Sequence, residues 1–216
     1  MARLRVAVLI SGRGSNMKAL LEAARDPAYP AEIGLVAANV PGAGGLALAR
    51  AAGIATAELD HRQYSGRESF ERALNSRLVE AGIEFVCLAG FMRLLTPYFV
   101  DAWAGRMLNI HPSLLPAFPG LDTHARALDA GVRFAGCTVH FVTGEMDVGP
   151  IVAQAAVPVL PGDDAATLGA RVLAAEHRLY PGALALVASG RAKVVDGKVR
   201  IDGPTAVPLP AFNPTL

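Results

Sequence analysis

The first half of the chain alternates short apolar runs with segments of helical character. Strand-like runs cover residues 5–10, 33–40, 54–59 and 85–89, and helical segments cover residues 17–25, 44–53 and 67–81. Unbroken apolar runs of this length are typical of parallel strands buried on both faces. Gly or Pro follows or closes each helical segment, as expected at a helix end. This alternation predicts βαβ units with right-handed crossovers and a parallel sheet.

The second half has a different pattern. The sequence predicts a strand at 107–111, a proline-rich loop at 112–120, a helix at 124–130, strands at 137–142 and 151–159, a helix at 164–180 that continues after Pro181 as 183–189, and a hairpin at 193–201. The proline content of the loop excludes a helix or a central strand. Asp196-Gly197 suits a type I′ turn in the hairpin.

Together these patterns predict an α/β fold: an open, mostly parallel twisted sheet with a Rossmann-like N-terminal half and helices on both faces. The 216 residues suit one domain over 1–203, followed by a peripheral proline-rich tail at 204–216. A chain of this length buries about 70% of its unfolded surface, so it needs no disulfide or structural metal.

Composition and charge narrow the class of protein further. Hydrophobic residues make up 52% and charged residues 18% of the chain, and the formal net charge is +1. This balance predicts an ordered core, and it disfavours non-specific binding to nucleic acid or to an anionic membrane. Cys87 and Cys137 lie within apolar runs and form no C-x-x-C pair, which predicts buried thiols. With neither a signal peptide nor a membrane-length apolar stretch recognised, we expect a cytoplasmic protein.

A glycine-containing turn joins the first strand to the first helix. Its sequence is Gly12-Arg13-Gly14-Ser15-Asn16. Glycines allow close approach of a ligand, and a helix N-terminus attracts an anion. Ser15 and Asn16 can cap the helix and also donate to phosphate oxygens. Met17 stands where a third glycine would complete a dinucleotide fingerprint, and no Walker lysine follows. The turn is therefore either a phosphate site or a plain glycine turn.

The strand at 107–111 carries two polar side chains on one face. Asn109 and His111 are two positions apart, so both project to the same side of a strand that otherwise reads Met-Leu-Ile. Histidine can transfer a proton near neutral pH, and an asparagine amide can hold an oxyanion. The pair ends a late strand of an open sheet, where ligands bind at the carboxyl ends. We interpret this pair as the chemical centre, although a lone histidine is more often structural.

Three further polar residues have no clear role from the sequence. Asp147 lies in the loop between the strands at 137–142 and 151–159, where it either orients His111 and favours its protonated form or simply forms a turn. His140 reads as a core histidine. Glu176, on the long helix, reads as part of a solvated face. Spacing alone does not decide among these, and no zinc-ligand spacing is present.

Several motifs together resemble one family. They are Ser11–Asn16, Leu88–Arg93, Asn109–Pro116, Pro119-Gly120, Val139–Val142, Asp147 and Glu176-His177. In this order, and over nearly the whole chain, the sequence resembles the glycinamide ribonucleotide formyltransferases, folate-dependent one-carbon transferases of purine biosynthesis. The resemblance implies transfer of a formyl group from the co-substrate 10-formyltetrahydrofolate to the glycine amine of glycinamide ribonucleotide, without a metal. The implied partners are these small molecules, and a homodimer is compatible with it.

The resemblance also implies roles for individual residues. Asn109, His111 and Asp147 match the catalytic residues of the family. The ribonucleotide-binding positions are Gly14, Ser15, Asn16 and Glu176, and the folate-binding positions are Arg67, Met92, Arg93, Leu94, Leu95, Asn109, Thr143 and Gly144. The N-terminal half, about 1–105, would then bind the nucleotide phosphate, and the C-terminal half, about 106–203, would bind folate and carry the chemistry.

Other functions remain open at this stage. A 10-formyltetrahydrofolate deformylase, which transfers the formyl group to water, is the main enzymatic alternative. Methionyl-tRNA formyltransferases carry a further nucleic-acid-binding domain, and formyltetrahydrofolate dehydrogenases carry a much larger second domain. A folate- or nucleotide-binding module is the non-enzymatic alternative, which would not require Asn109, His111 and Asp147 together.

Overall fold

The computed structural model describes residues 2–203, 211 and 213. Its first half consists of β1 (Leu4–Ile10), α1 (Ser15–Ala23), β2 (Ala31–Ala38), α2 (Gly44–Ala51), β3 (Thr56–Glu58), α3 (Arg67–Glu80), β4 (Phe85–Leu88) and α4 (Pro97–Ala102). The predicted strands and helices all occur, with ends displaced by a few residues. The sequence analysis missed α4, although Thr96-Pro97 offers an N-cap residue followed by proline in the first turn.

The second half consists of β5 (Met107–His111), α5 (Thr123–Asp129), β6 (Phe134–Phe141), β7 (Ile151–Pro158), α6 (Ala165–Ala188), β8 (Ala192–Val195) and β9 (Lys198–Ile201). The prediction for β5 is confirmed to the residue. The α6 helix runs through Pro181 without a break, and β6 begins three residues earlier than predicted. The predicted tail at 204–216 lies outside the described residues, apart from Ala211 and Asn213.

Seven strands form one sheet in the order β3-β2-β1-β4-β5-β6-β7. The pairings from β3 to β5 are parallel, whereas β5–β6 and β6–β7 are antiparallel. The prediction of a mostly parallel open sheet is thus confirmed. The chain leaves β1 on one side through β2 and returns on the other side as β4, which creates a topological switch point between β1 and β4.

Two apolar layers enclose the sheet. One lies under α1, α2 and α6 and includes Val8, Met17, Leu108, Ile110 and Tyr180, and the other lies under α3 and α4 and includes Leu9, Phe70, Val86, Phe99 and Trp103. Alternate residues of β5 therefore have different environments. Leu108 and Ile110 enter the first layer, which leaves Asn109 and His111 on the opposite face. Cys87 and Cys137 are both buried free thiols, as predicted.

Candidate active site

The carboxyl edge of the sheet gathers three segments at the switch point. They are the turn after β1, the segment from Gly90 to Thr96 after β4, and the end of β5. Ser11 joins the first two: its N–H donates to Gly90 O at 3.0 Å, and its Oγ accepts from Met92 N at 2.8 Å. The β4–β5 pairing places Leu88 opposite Asn109, next to the third segment. Asn109 and His111 therefore lie at the carboxyl ends of the strands, as predicted.

Asn109 faces His140 on the neighbouring antiparallel strand. The two residues are directly paired in the β5–β6 register, and Asn109 Nδ2 lies 3.2 Å from His140 Nε2. His140 Nδ1 lies 3.0 Å from Phe141 O, an acceptor, so Nδ1 carries a proton. Burial lowers the pKa of His140, which favours the neutral ring, and the Asp147 carboxylate, whose Oδ1 lies 3.8 Å from Nε2, partly opposes that shift. In the neutral ring Nε2 accepts from the Asn109 amide, and the second amide proton of Asn109 has no partner among the described residues.

His111 is surrounded by oxygen acceptors. Its Nδ1 lies 3.4 Å from Asp147 Oδ2, and its Nε2 lies 3.0 Å from Phe118 O. The side chains of His111 and Asp147 are only 7% and 9% exposed, so this pair is largely shielded from water. An imidazolium with a proton on each nitrogen satisfies both contacts. The structure thus brings together Asp147 and His111, which the sequence could not pair by spacing.

An unusual backbone conformation orients the two groups that contact His111, the Asp147 carboxylate and the Phe118 carbonyl. Asp147 adopts φ 59° and Phe118 φ 53°, the left-handed region. Such a conformation is rare for a bulky side chain like that of Phe118, and strain of this kind is common at active sites. Gly120 N donates to Asp147 Oδ2 at 2.8 Å, which fixes the carboxylate from the proline-rich loop. Gly149 packs so closely on Phe141 O that an added Cβ would lie 1.8 Å away, so only glycine allows this path after Asp147.

The turn after β1 contacts the long helix. Gly14 has φ 72° and is the N-cap residue of α1, which begins at Ser15. No side chain caps α1, so the expected capping by Ser15 or Asn16 is wrong. Asn16 is buried and donates from Nδ2 to Glu176 Oε2 at 2.6 Å, while its Oδ1 is buried without a partner among the described residues.

Glu176 corrects a second expectation. It is 6% exposed, so its interpretation as part of a solvated helix face is wrong. Burial raises its pKa, and the hydrogen bond from Asn16 partly opposes that effect. Asn16 and Glu176 are 160 positions apart, so only the packing of α1 against α6 brings them together.

The remaining candidate residues lie on exposed segments. Met92 and Leu94 are 71% and 58% exposed. The Arg93 guanidinium lies 5.1 Å from the centre of the Phe70 ring, which anchors this segment to α3. Arg67 is exposed at the start of α3, and Leu95 is half-buried.

Two more candidates occupy the loop that precedes Asp147. Thr143 and Gly144 are exposed there, and Thr143 Oγ1 donates to Glu145 O at 3.3 Å. Among the described residues, no side-chain hydrogen bond links Thr143 to Arg67. The structure therefore does not gather all the predicted folate-binding residues into one hydrogen-bonded network.

The sequence indicated His140 only as a core histidine, which its burial confirms, and gave Thr138 no role. His140 and Thr138 alternate on β6 just as Asn109 and His111 alternate on β5. That repeated period of two was the signal that could have revealed them. The Phe118 carbonyl and the Gly120 N–H left no such signal, because backbone groups carry no side-chain identity.

Cavity size does not locate this site. A cavity of about 440 Å³ lies at the amino ends of β1 and β2, beside Arg3, Arg5 and Arg25, remote from all of the candidate chemistry. A smaller one of about 100 Å³ lies beside Phe118 and His124. No described helix is long and apolar enough to cross a membrane. Nor do the described residues include three His, Cys, Asp or Glu side chains grouped to hold a metal ion.

A histidine–carboxylate pair shielded from water and an asparagine amide on the same strand lie at the carboxyl edge of an open α/β sheet, an arrangement suited to an enzyme that transfers a group. The chain belongs to the formyl transferase family, whose profile matches residues 4–184. It is 44% identical to phosphoribosylglycinamide formyltransferase of Escherichia coli (strain K12) over 200 residues, covering 93% of this chain and 94% of that protein.

Two other relatives extend the comparison. The chain is 52% identical over 198 residues to the trifunctional purine biosynthetic protein adenosine-3 of Gallus gallus, covering 91% of this chain but only 20% of that protein. It therefore spans about a fifth of that relative's length. The crystal structure of glycinamide ribonucleotide transformylase 1 from Symbiobacterium toebii superposes with a TM-score of 0.90 at 48% identity, covering 92% of this chain and 94% of that one.

Proposed function

We propose that the chain transfers the formyl group of 10-formyltetrahydrofolate to the glycine amine of glycinamide ribonucleotide, giving formylglycinamide ribonucleotide and tetrahydrofolate in purine biosynthesis. The observation that carries this proposal is the shielded His111–Asp147 pair beside the free amide proton of Asn109. The relatives whose names specify phosphoribosylglycinamide as acceptor favour transfer over the deformylase alternative.

Asn109 is the proposed hydrogen-bond donor to the oxyanion of the intermediate. Attack of the amine nitrogen on the formyl carbon forms a C–N bond and places negative charge on the formyl oxygen. One Nδ2 proton of Asn109 is held by neutral His140, so the amide plane is fixed and the other proton is available to that oxygen. Removing one such donor typically costs about 10²–10³-fold in kcat.

His111 and Asp147 are the proposed proton-handling pair. The attacking amine must lose a proton, and N10 of the folate must gain one when its bond to the formyl carbon breaks. In this proposal protonated His111 exchanges its contact with Phe118 O for the charged oxygen of the intermediate. Asp147 holds the ring in place through Nδ1 and assists the proton's movement from amine to N10, so that no net proton is consumed.

The turn after β1 is the proposed ribonucleotide site. Gly14 and Ser15 present the N-terminus of α1, whose free N–H groups favour a phosphate. The unpartnered Oδ1 of buried Asn16 can accept a hydrogen bond from the substrate, and Glu176 beside it can hold the glycinamide end. These roles are assigned by the family resemblance, and the burial of both side chains is consistent with them.

The exposed segments are the proposed formyl-donor site. Met92 and Leu94 offer apolar surface to an aromatic ring, and Arg67 and Arg93 offer positive charge to the carboxylates of the folate tail. Leu95, Asn109, Thr143 and Gly144 complete the proposed site. The division of 1–203 into a nucleotide-binding half and a folate-binding half, the cytoplasmic location and a homodimer are further parts of this proposal.

The test is a spectrophotometric assay of tetrahydrofolate formation from a 10-formyl donor, with and without glycinamide ribonucleotide. We expect product only when the nucleotide is present, with formylglycinamide ribonucleotide identified by mass spectrometry. Equal rates without nucleotide, with release of formate, would establish the deformylase alternative. Binding of both compounds without turnover would instead support a binding module.

A further inference from the structure

One buried carboxylate lies outside the chemistry described so far. Glu71, on α3, is 1% exposed. Its Oε1 accepts a hydrogen bond from Thr96 N at 2.9 Å, and its Oε2 accepts one from the Thr96 hydroxyl. A buried carboxylate is costly unless its oxygens are hydrogen-bonded. Both hydrogen bonds come from one residue, Thr96, which belongs to another segment.

That residue ends the segment from Gly90 to Thr96. Thr96 is also the N-cap residue of α4. In a capping box, a glutamate three residues along the same helix accepts from the N-cap N–H. Here position 99 is Phe, and Glu71 of a different helix supplies that carboxylate. The start of α4 is thus fixed by α3.

The other end of the segment is also anchored. Ser11 N donates to Gly90 O and Ser11 Oγ accepts from Met92 N, so the first residues are tied to the turn after β1. Between the two anchors, Met92 and Leu94 stay exposed, and Arg93 lies over the ring of Phe70. The segment is therefore a strap held at each end, with its middle presented to solvent.

We propose that Glu71 is a positioning residue for the formyl donor: through Thr96 it fixes the end of the strap and so sets the placement of Met92 to Leu95. This inference rests on the proposed function, since it assigns that strap to the donor. It predicts that Glu71 affects binding of the formyl donor more than binding of the ribonucleotide, because the turn after β1 is bonded to Gly90 and Met92 at the other end of the strap and not to Thr96.

The first variants are Glu71→Leu, which leaves Thr96 N–H without its acceptor, and Thr96→Val, which removes only the hydroxyl. We expect Glu71→Leu to raise the KM for the formyl donor about tenfold, equivalent to about 1.4 kcal/mol. The KM for the ribonucleotide should stay within about twofold. Glu71→Gln should restore most of the donor affinity, because a glutamine amide can accept from Thr96 N and donate to Thr96 Oγ.

Asn75 provides a matched control on the same helix. Its Oδ1 accepts from Trp103 Nε1 at 3.0 Å and its Nδ2 donates to the Tyr98 hydroxyl at 3.4 Å. It therefore joins α3 to the side chains of α4 without a hydrogen bond to the strap itself. Asn75→Leu should lower the melting temperature without raising the KM for the donor. If Asn75→Leu and Glu71→Leu raise that KM equally, the effect is general loss of α3–α4 packing and the proposal is overturned.

A second readout needs no activity. Trypsin can cleave after Arg93 in the strap, and cleavage can be followed by mass spectrometry. We expect faster cleavage at that bond in Glu71→Leu and Thr96→Val than in the wild type or in Asn75→Leu. Unchanged cleavage would show that Glu71 does not hold the strap.

The two readouts together separate the possible failures. Faster cleavage with unchanged donor KM would show that the strap does not bind the donor. It would overturn this proposal and the assignment of the strap to the donor, while the proposed reaction would stand. If the wild type has no transferase activity, the dissociation constant of tetrahydrofolate is measured instead of the KM. It is compared between the wild type and Glu71→Leu. Equal affinities would then overturn the positioning role, independently of the reaction.

Discussion

His140 shows how one buried residue can orient another through a single hydrogen bond. Its ring is 2% exposed, and burial lowers its pKa, so it presents a lone pair at Nε2. That lone pair determines which end of the Asn109 amide faces the strand and which proton remains free. The same buried position would be unsuitable for a charged histidine, because Asn109 would then have to turn its oxygen toward the ring.

A substitution at Asp147 should affect activity without affecting stability. Asp147→Asn removes the negative charge beside His111 Nδ1 but keeps an acceptor for Gly120 N. We expect kcat to fall about 10²–10⁴-fold, as for loss of a proton-transfer group, with little change in melting temperature. Steady-state kinetics and thermal unfolding measure the two effects.

Asp196 is a suitable control for that variant. It also adopts a left-handed conformation, at φ 51°, but lies in the exposed β8–β9 turn. Asp196→Asn should leave both kcat and melting temperature unchanged. A near-normal kcat for Asp147→Asn would remove Asp147 from the mechanism.

Glu176 leads to a prediction about pH. Burial raises its pKa above the ordinary value of 4.5. The folded state therefore favours the protonated form. The resulting stability is present below the unfolded-state pKa and is lost as pH rises through the folded-state pKa. Glu176→Gln mimics the protonated form, so it should raise the melting temperature relative to wild type more at pH 8 than at pH 5.

Thermal unfolding across pH 5–8 tests this, with Glu80→Gln, exposed on α3, as the control. A difference between Glu176→Gln and wild type that is independent of pH would contradict the argument. In the proposed mechanism the same variant should bind the ribonucleotide more weakly. Stability and function would then be opposed at this position.

At the scale of elements, β6 supports the proline-rich loop that follows His111. Thr138 lies opposite His111 in the β5–β6 register and is fully buried. Its Oγ1 donates to Ser113 O at 2.7 Å and accepts from Leu115 N at 3.1 Å and from Gln154 Nε2 at 3.0 Å. One hydroxyl thus joins the loop to both antiparallel strands.

Thr138→Val keeps the size and β-branching of the side chain but leaves three groups without this partner. We expect the free energy of unfolding to fall by about 1–3 kcal/mol. The kcat should also fall, because the loop carries the Phe118 carbonyl that contacts His111. Denaturant unfolding and steady-state kinetics measure these effects.

Thr56→Val is the matched control. Thr56 lies on the edge strand β3, and among the described residues its hydroxyl makes one hydrogen bond, which it accepts from Arg50 Nε. It should change neither quantity appreciably. If Thr138→Val is as stable as wild type, the hydrogen bonds of Thr138 do not support the loop.

At the scale of the whole molecule, the two halves of the chain share one core. The apolar layer under α1 and α6 combines Val6 and Phe85 from the first half with Val139 and Leu184 from the second. Tyr180 is fully buried, and its hydroxyl donates to Leu88 O and lies 3.2 Å from Leu108 O. Neither half can bury its apolar surface without the other.

We therefore expect a single unfolding transition for residues 1–203. Trp103, the only tryptophan, is buried in the first half and reports on that half by fluorescence, whereas far-UV circular dichroism reports on both. The two midpoints in denaturant should coincide. Separate midpoints would mean that the halves are independent domains.

The sequence by itself determined the order of the elements, the open and mostly parallel sheet, and the face of β5 that carries Asn109 and His111. These follow from local periodicity, because apolar runs and a period of two depend only on neighbouring residues. It did not predict α4, whose six residues are too few for a periodic pattern.

Only the tertiary structure decided which distant groups meet. It paired Asn16 with Glu176, Asp147 with His111, and Glu71 with Thr96, across separations of 160, 36 and 25 positions. The physical reason is that burying a polar or charged side chain is favourable only when a partner is present. Strand order and helix packing supply that partner, and no pattern along the chain records it.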